Sequence, residues 1–457
     1  MIRTLRKHKG IVAIATVVAL PFIALVSGMS IDAGRAYLVQ AKLFAAVDAA
    51  SISAARAVAD GESDAVAAAN KFFAANFPEG FHKSTATLEN VNFSYDSDGN
   101  ISISISASAD MPTTFLNITG FNAFAIGAQA EVIRRPVDLV LVVDNTTSLR
   151  IGSIGDVTQD VIVRSKSFVS NFHETFDRVS LVKFAFGAEV PVGFTDPRGH
   201  DRTAINSEID AFTFGSIFNP QYTNASEGFY LALEELRNVS DPANLKVIVF
   251  FTDGAPNTFS SSFEFIDSNT YAGSIRSSDG GSGTPRGLWE FDSVATQLSG
   301  SGYAGSNIDD NLEELPEYFN SHDISATEFN VLNPFHPTRP VAQYNRFIHS
   351  ANDLYTRVNR VSRNLVEDMA EAARNEGIFV FTLGLGSSLT SPAGPDSELG
   401  QDLLLRMAND PDMLNDVDLS GDFQPDQMRG VYCHAVDEDA LEPCFDEMLD
   451  VIIRLTL

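Results

Sequence analysis

From Ile11 to Ile31 the chain carries no charged side chain and is rich in Val, Ala, Ile and Leu. About 20 apolar residues are what a helix needs to span a bilayer. Arg3, Arg6, Lys7 and Lys9 precede the run, and a basic flank stays cytoplasmic, which sends everything after Asp32 across the membrane. A cleaved secretory signal peptide is the competing reading, since small residues stand near Ser27–Ser30. Against it, a helical stripe of Val39, Leu43, Val47, Ala50 and Ala54 carries the same pattern past the span. Residues 1–31 therefore read as a cytoplasmic tip and a single-pass transmembrane anchor.

The rest of the chain has the composition of a folded protein. Of 457 residues, 44% are hydrophobic and 20% charged, enough for two or three domains with their own cores. The net charge of −29 excludes nucleic acid and anionic lipid surfaces as partners, because nothing offsets phosphate repulsion. It reads as a solvated acidic surface.

After Asp32 an Ala-rich helix, broken at Gly61, is expected to run to about Phe77, where Pro78 and Gly80 stop it. The period then changes to two. Val91, Phe93 and Tyr95 alternate with polar residues, as do Ile101, Ile103 and Ile105, and the turn between them predicts a β-hairpin. A further strand is expected over Ala123 to Ile133, so residues 32–135 form a long helix plus a small sheet. Arg134, Arg135 and Pro136 mark a boundary. Beyond it, buried strands at 137–143, 178–186, 245–252 and 377–384 alternate with helices near 157–174, 225–238, 362–376 and 437–454. That order predicts an α/β, Rossmann-like domain over 136–457, a parallel sheet with helices on both faces. The stretch 255–360 interrupts it, rich in Ser and Gly at first, and reads as a surface insertion.

The chemistry gathers at strand ends. "VDLVLVVDNTTSLR" finishes an apolar strand with Asp144, Thr146 and Ser148 at alternate positions. "YTNASEGFYLALEEL" puts Thr223 just ahead of a helix, and "KVIVFFTDGAPN" ends a second buried strand at Thr252, Asp253 and Gly254. Carboxyl ends of parallel strands lie on one edge of a sheet, where open α/β sheets place their ligands. Asp144, Thr146, Ser148, Thr223 and Asp253 would then converge as hard oxygen donors, suited to Mg²⁺, with Mn²⁺ or Ca²⁺ as alternatives, and not to zinc. The plain alternative is that Asp144 and Asp253 cap the following helices and Thr223 is a turn residue.

These three segments, in this order, resemble the von Willebrand factor A domain. Its metal-ion-dependent adhesion site has the pattern D-x-S-x-S, a distant Thr and a T-D-G strand end. Thr146 stands where Ser is usual and keeps the hydroxyl. The resemblance implies a divalent cation with an open position for a partner's carboxylate.

The amino-terminal third has its own resemblance. Its basic tip ending in Gly10, its apolar span, "SIDAGRAYLVQAKLFAAVDAASISAA" and "MPTTFLNITGFNAFAIGAQAEV" are similar to TadG-like proteins of the tight-adherence (Flp) pilus machinery. Related pseudopilins have a Glu five residues after their cleavage-site Gly, where this chain has Ala15. The resemblance implies a bacterial inner-membrane protein, bulk periplasmic, making contact with a pilus or envelope protein during Flp pilus assembly. The alternative is a surface adhesin that binds an external ligand through the same domain.

Other motifs weigh less. "DVDLSGD", Asp416 to Asp422, opens like an EF-hand loop but has Gln427 where the bidentate Glu belongs. The eight histidines are scattered, and no HExxH, GxSxG or Walker signature is present, so no enzyme is expected. Cys433 and Cys444 are the only cysteines. A final strand near Cys433 and a helix carrying Cys444 would place them within reach of a disulfide in an oxidising periplasm, or leave two buried thiols.

Overall fold

The computed structural model describes residues 9–96, 99–152, 154–277, 285, 287–303, 307–333, 339–341 and 346–456. The chain divides into two compact units, meeting at Arg134 and Arg135.

The first unit opens with α1, Lys9–Ala57. Its first half exposes Ile14, Val17, Leu20, Phe22, Ile23 and Val26, and this helix is long and apolar enough to cross a membrane. Its second half buries Val39, Leu43, Val47, Ala50 and Ala54, the spacing of one helical face. Gly61, at φ +121°, takes a backbone conformation that L side chains rarely adopt and separates α1 from α2, Glu62–Asn76. Strands β1 (Thr85–Tyr95), β2 (Ile101–Pro112) and β3 (Ala123–Arg134) form an antiparallel sheet with β2 in the middle. Ile101, Ile103, Ile105, Ala107, Ala109 and Met111 are all buried on one face of β2, as period-two alternation requires. The buried Asp32 carboxylate accepts the backbone N–H groups of Thr114, Phe115 and Leu116 at 3.0, 2.8 and 2.9 Å, fastening the β2–β3 connection to α1.

The second unit contains, in order, β4 (Val137–Asp144), α3 (Ser148–Ile151), α4 (Thr158–Val169), β5 (Arg178–Phe184), β6 (Ala188–Val192), α5 (Arg202–Asp210) and α6 (Ala225–Arg237). Then come β7 (Leu245–Thr252), β8 (Thr258–Glu264), β9 (Thr270–Arg276), α7 (Ala351–Asn375), β10 (Ile378–Leu385), β11 (Pro392–Ala393) and β12 (Glu398–Leu399). The unit closes with α8 (Gly400–Ala408), β13 (Tyr432–Ala435) and α9 (Leu441–Thr456). The main sheet has six strands in the order β13-β10-β7-β4-β5-β6. Leu139, Leu141 and Val143 of β4 pack with side chains of α4, α5 and α9, while Val140 and Val142 pack with those of α6 and α7. Both faces are therefore dry, and each fully buried aliphatic side chain contributes roughly 1.5–3 kcal/mol.

Three expectations need correction. The sheet is mixed, not all-parallel, because β6 runs antiparallel to β5; the short turn between them reverses the chain, whereas a parallel pair needs a long crossover. Helix α7 begins at Ala351, inside the stretch read as insertion. Its first turns bury Arg357, Asn359, Arg363 and Asn364 among the apolar residues, which blurs the apolar period. The region after Gly254 also has structure of its own, the antiparallel hairpin β8–β9.

Candidate metal site

Strands β4 and β7 are parallel neighbours, with Val143 opposite Phe251. Asp144 and Thr252 therefore come next on adjacent strands, at the carboxyl edge. Thr252 Oγ1 donates to Asp144 Oδ2 at 2.6 Å, and the Thr146 N–H donates to Asp144 Oδ1 at 2.7 Å. Thr146 Oγ1 lies 2.8 Å from Ser148 Oγ, which donates to Asp253 Oδ1 at 2.6 Å. Four of the five expected residues thus form one hydrogen-bonded chain across two loops. Thr223 joins them by position: with Ser148 and Asp253 it lines a cavity of about 520 Å³.

Local structure explains each placement. Asn224 caps α6 by accepting the Glu227 N–H at 3.2 Å, which fixes Thr223 just before the helix; the Thr223 N–H donates to Asn257 Oδ1 at 3.0 Å. Several supporting residues carried no spacing signal. Thr147 Oγ1 accepts the Gln221 N–H at 2.7 Å, and Asn145 Nδ2 donates to the Thr213 carbonyl at 2.7 Å. Ser388 Oγ donates to the Asp253 carbonyl at 2.5 Å. Each spans a long stretch of sequence.

The electrostatics of the two carboxylates stand out against a control on the same strand. At the amino end of β4, buried Asp138 faces Arg198 at 2.7 Å and Arg178 at 3.6 Å. At the carboxyl end, Asp144 is equally buried but receives only hydroxyl and N–H donors. Asp253, 6% exposed, likewise has no ion pair among the described residues. Burial pushes the Asp144 carboxyl above its ordinary range. Burial, and then the charge of Asp144, push Asp253 well above it.

Two uncompensated carboxylates beside three hydroxyls form a donor set that fits a hard divalent cation. Among the described residues no group of three or more His, Cys, Asp and Glu side chains is placed to hold a metal, the Asp416–Asp422 loop included. This site supplies two such groups and completes its set with alcohols. Elsewhere in the unit, Cys433 and Cys444 are joined as a disulfide with their Cα atoms 5.5 Å apart.

A search of curated proteins finds no match to the sequence. Among solved structures, the chain is similar to the von Willebrand factor domain of the type V pili tip protein Mfa5 from Porphyromonas gingivalis, at 15% identity and TM-score 0.39, covering 71% of this chain and 98% of that one. It is similar to the PilB minor pilin from Streptococcus sanguinis at 16% identity and TM-score 0.36, covering 82% and 79%. It is also similar to proximal thread matrix protein 1 from the mussel byssus, whose structure has a zinc-occupied MIDAS motif, at 14% identity and TM-score 0.34, covering 70% of this chain and 46% of that one. Residues 10–57 match the family described as Flp pilus-assembly TadE/G-like, and residues 139–255 match the von Willebrand factor type A domain. The chain therefore carries a TadE/G-like amino-terminal segment followed by a von Willebrand factor type A domain.

Proposed function

We propose that this protein is a non-enzymatic, membrane-anchored contact module of Flp pilus assembly, with a divalent cation, Mg²⁺ first, held by Asp144, Thr146, Ser148, Thr223 and Asp253. The observation that carries this reading is the contrast on β4: Asp138 has two arginines, whereas Asp144 and Asp253 have none. A cation there would offer an open position to a partner's carboxylate. The chain's own part is to hold the oxygens in place: Thr252 and the Thr146 N–H orient Asp144, and Ser148 orients Asp253. The exposed apolar half of α1 supports anchoring in a bacterial inner membrane, with the A domain in the periplasm and a pilus or envelope protein as partner.

Calorimetry with Mg²⁺ and Mn²⁺ tests the site. Wild type should bind, and Asp144→Ala should lose binding while keeping its fold by circular dichroism. Undiminished affinity in that variant rules the site out. Cell fractionation tests the location. Recovery in the inner membrane agrees with the proposal, and recovery at the outer surface or in the medium favours an adhesin instead.

A further inference from the structure

The cavity that Ser148, Thr223 and Asp253 line has Arg363 of α7 on its wall as well. This side chain is 2% exposed, and its Nη1 has no hydrogen-bond partner. Its ion-pair contact among the described residues is Glu398 Oε2, at 3.7 Å. That oxygen also serves Arg339 at 3.3 Å, and the other oxygen of Glu398 binds Arg406. Arg339 and Arg406 further share Glu367, and nearby Asp396 pairs with Arg360 at 2.7 Å. Arg406 also reaches Asp422 at 3.9 Å, and of the three guanidiniums that share Glu398, Arg363 holds the longest contact.

A buried guanidinium without its own anion is costly, and its planar fork of donors matches a carboxylate. The loop between β11 and β12 passes close to that fork. Gly394 there has φ +74°, and a Cβ on it would come 2.7 Å from both Nη1 and Nη2. Glycine leaves the fork its room, and Arg363 and Gly394 both line the cavity.

We infer that the cavity accepts an acidic polypeptide segment presenting two carboxylates, one to a cation at Asp144 and Asp253 and the other to Arg363. The inference rests on the cation site proposed above. It also answers a problem of long-range charge, since a chain of net charge −29 repels an acidic partner unless local positive charge offsets it.

The test uses the full chain in detergent, loaded with Mn²⁺, and reads the relaxation rate of water protons at the metal. Succinate, glutarate and adipate serve as two-carboxylate probes, and acetate as the one-carboxylate control. At least one dicarboxylate should lower the relaxation enhancement at about tenfold lower concentration than acetate. Arg363→Gln should abolish that advantage and leave both Mn²⁺ affinity and the acetate response unchanged. Should that variant fail to fold, Arg363→Lys, which keeps the charge, should retain part of the advantage. Gly394→Ala, which crowds the fork, should lose it. Equal responses to dicarboxylate and acetate in wild type overturn the two-anion inference while the cation site stands. An advantage untouched by every variant overturns the role of Arg363. No Mn²⁺ enhancement in wild type overturns the cation site and this inference together.

Discussion

Ser148 Oγ donates a 2.6 Å hydrogen bond to Asp253 Oδ1, joining residues 105 apart in sequence. It ties the loop after β4 to the loop after β7, and it leaves two buried acids facing one another without a cationic side chain. That relationship has a consequence for stability.

Both carboxyls are pushed above the ordinary value of 3.8, by burial first and, for Asp253, by the charge of Asp144. A carboxyl whose folded pKa exceeds its unfolded one binds more protons when folded, so stability falls as pH rises through that interval. The cation-free protein should therefore gain stability from this pair as pH drops from neutral towards 4. Asp253→Asn should raise its melting temperature at neutral pH by about 2–4 °C, an advantage that shrinks in acid. Saturating Mg²⁺ should raise the melting temperature of wild type only. A full Mg²⁺ shift in the Asn variant, in thermal melts by circular dichroism, would contradict the assignment.

His322 and Glu227 make the second pH-dependent contact, linking the region after β9 to α6. His322 Nε2 hydrogen-bonds to the fully buried Glu227 Oε1, whose other oxygen has no partner. Burial alone would lower the histidine pKa, but the Glu227 carboxylate outweighs it and the net shift is upward from 6.5. A raised histidine pKa gives stability that is fully present below the unfolded value and lost as pH rises through the folded one. His322→Gln should cost about 1.5–3 kcal/mol at pH near 6, and less at pH near 9. Urea unfolding at the two pH values checks this. A cost that does not fall with pH means the pair is not ionic.

Gly228 of α6 packs directly on Phe184 at the end of β5. A Cβ on Gly228 would lie 2.8–2.9 Å from the Phe184 side chain, which is fully buried. Gly228→Val should destabilise the domain by about 1–3 kcal/mol and weaken cation affinity, because Thr223 sits just before the same helix. Denaturation midpoints and calorimetry measure the two effects. Loss of stability with unchanged affinity would separate Thr223 from the site.

Cys433 on β13 and Cys444 on α9 close a loop of 11 residues. In the chain-entropy picture a cross-link of that span restricts the unfolded state by about 3 kcal/mol. Protein purified from cells should show no alkylated cysteine under denaturing, non-reducing conditions, and reduction should lower the unfolding midpoint. Two modified cysteines would show that the bond does not form in the cell.

Strands β4, β5, β7 and β10 were legible in the sequence because each is apolar on both faces and bounded by turn residues. They occupy the four central places of the sheet. The alternation of Asp144, Thr146 and Ser148 and the Thr252-Asp253-Gly254 strand end were legible for the same reason: each is local, and its place at a strand end follows from the run before it. The edges were harder. Strand β6 is short and half-buried, and its direction depends on a turn, whereas β13, only four residues long, was legible as a final strand near Cys433.

Partner choice was also beyond the sequence. Asp138 and Asp144 stand in one strand, "VDLVLVVD", with near-identical neighbours. Only the folded structure brings Arg178 and Arg198 to Asp138 and leaves Asp144 with Asp253. Periodicity reports which faces of a segment are apolar. Which charges meet across those faces depends on strand order and on loops far apart in the chain, and the missing counter-charge at Asp144 and Asp253, with Arg363 on the wall of the cavity beside Asp253, belongs to that second kind of information.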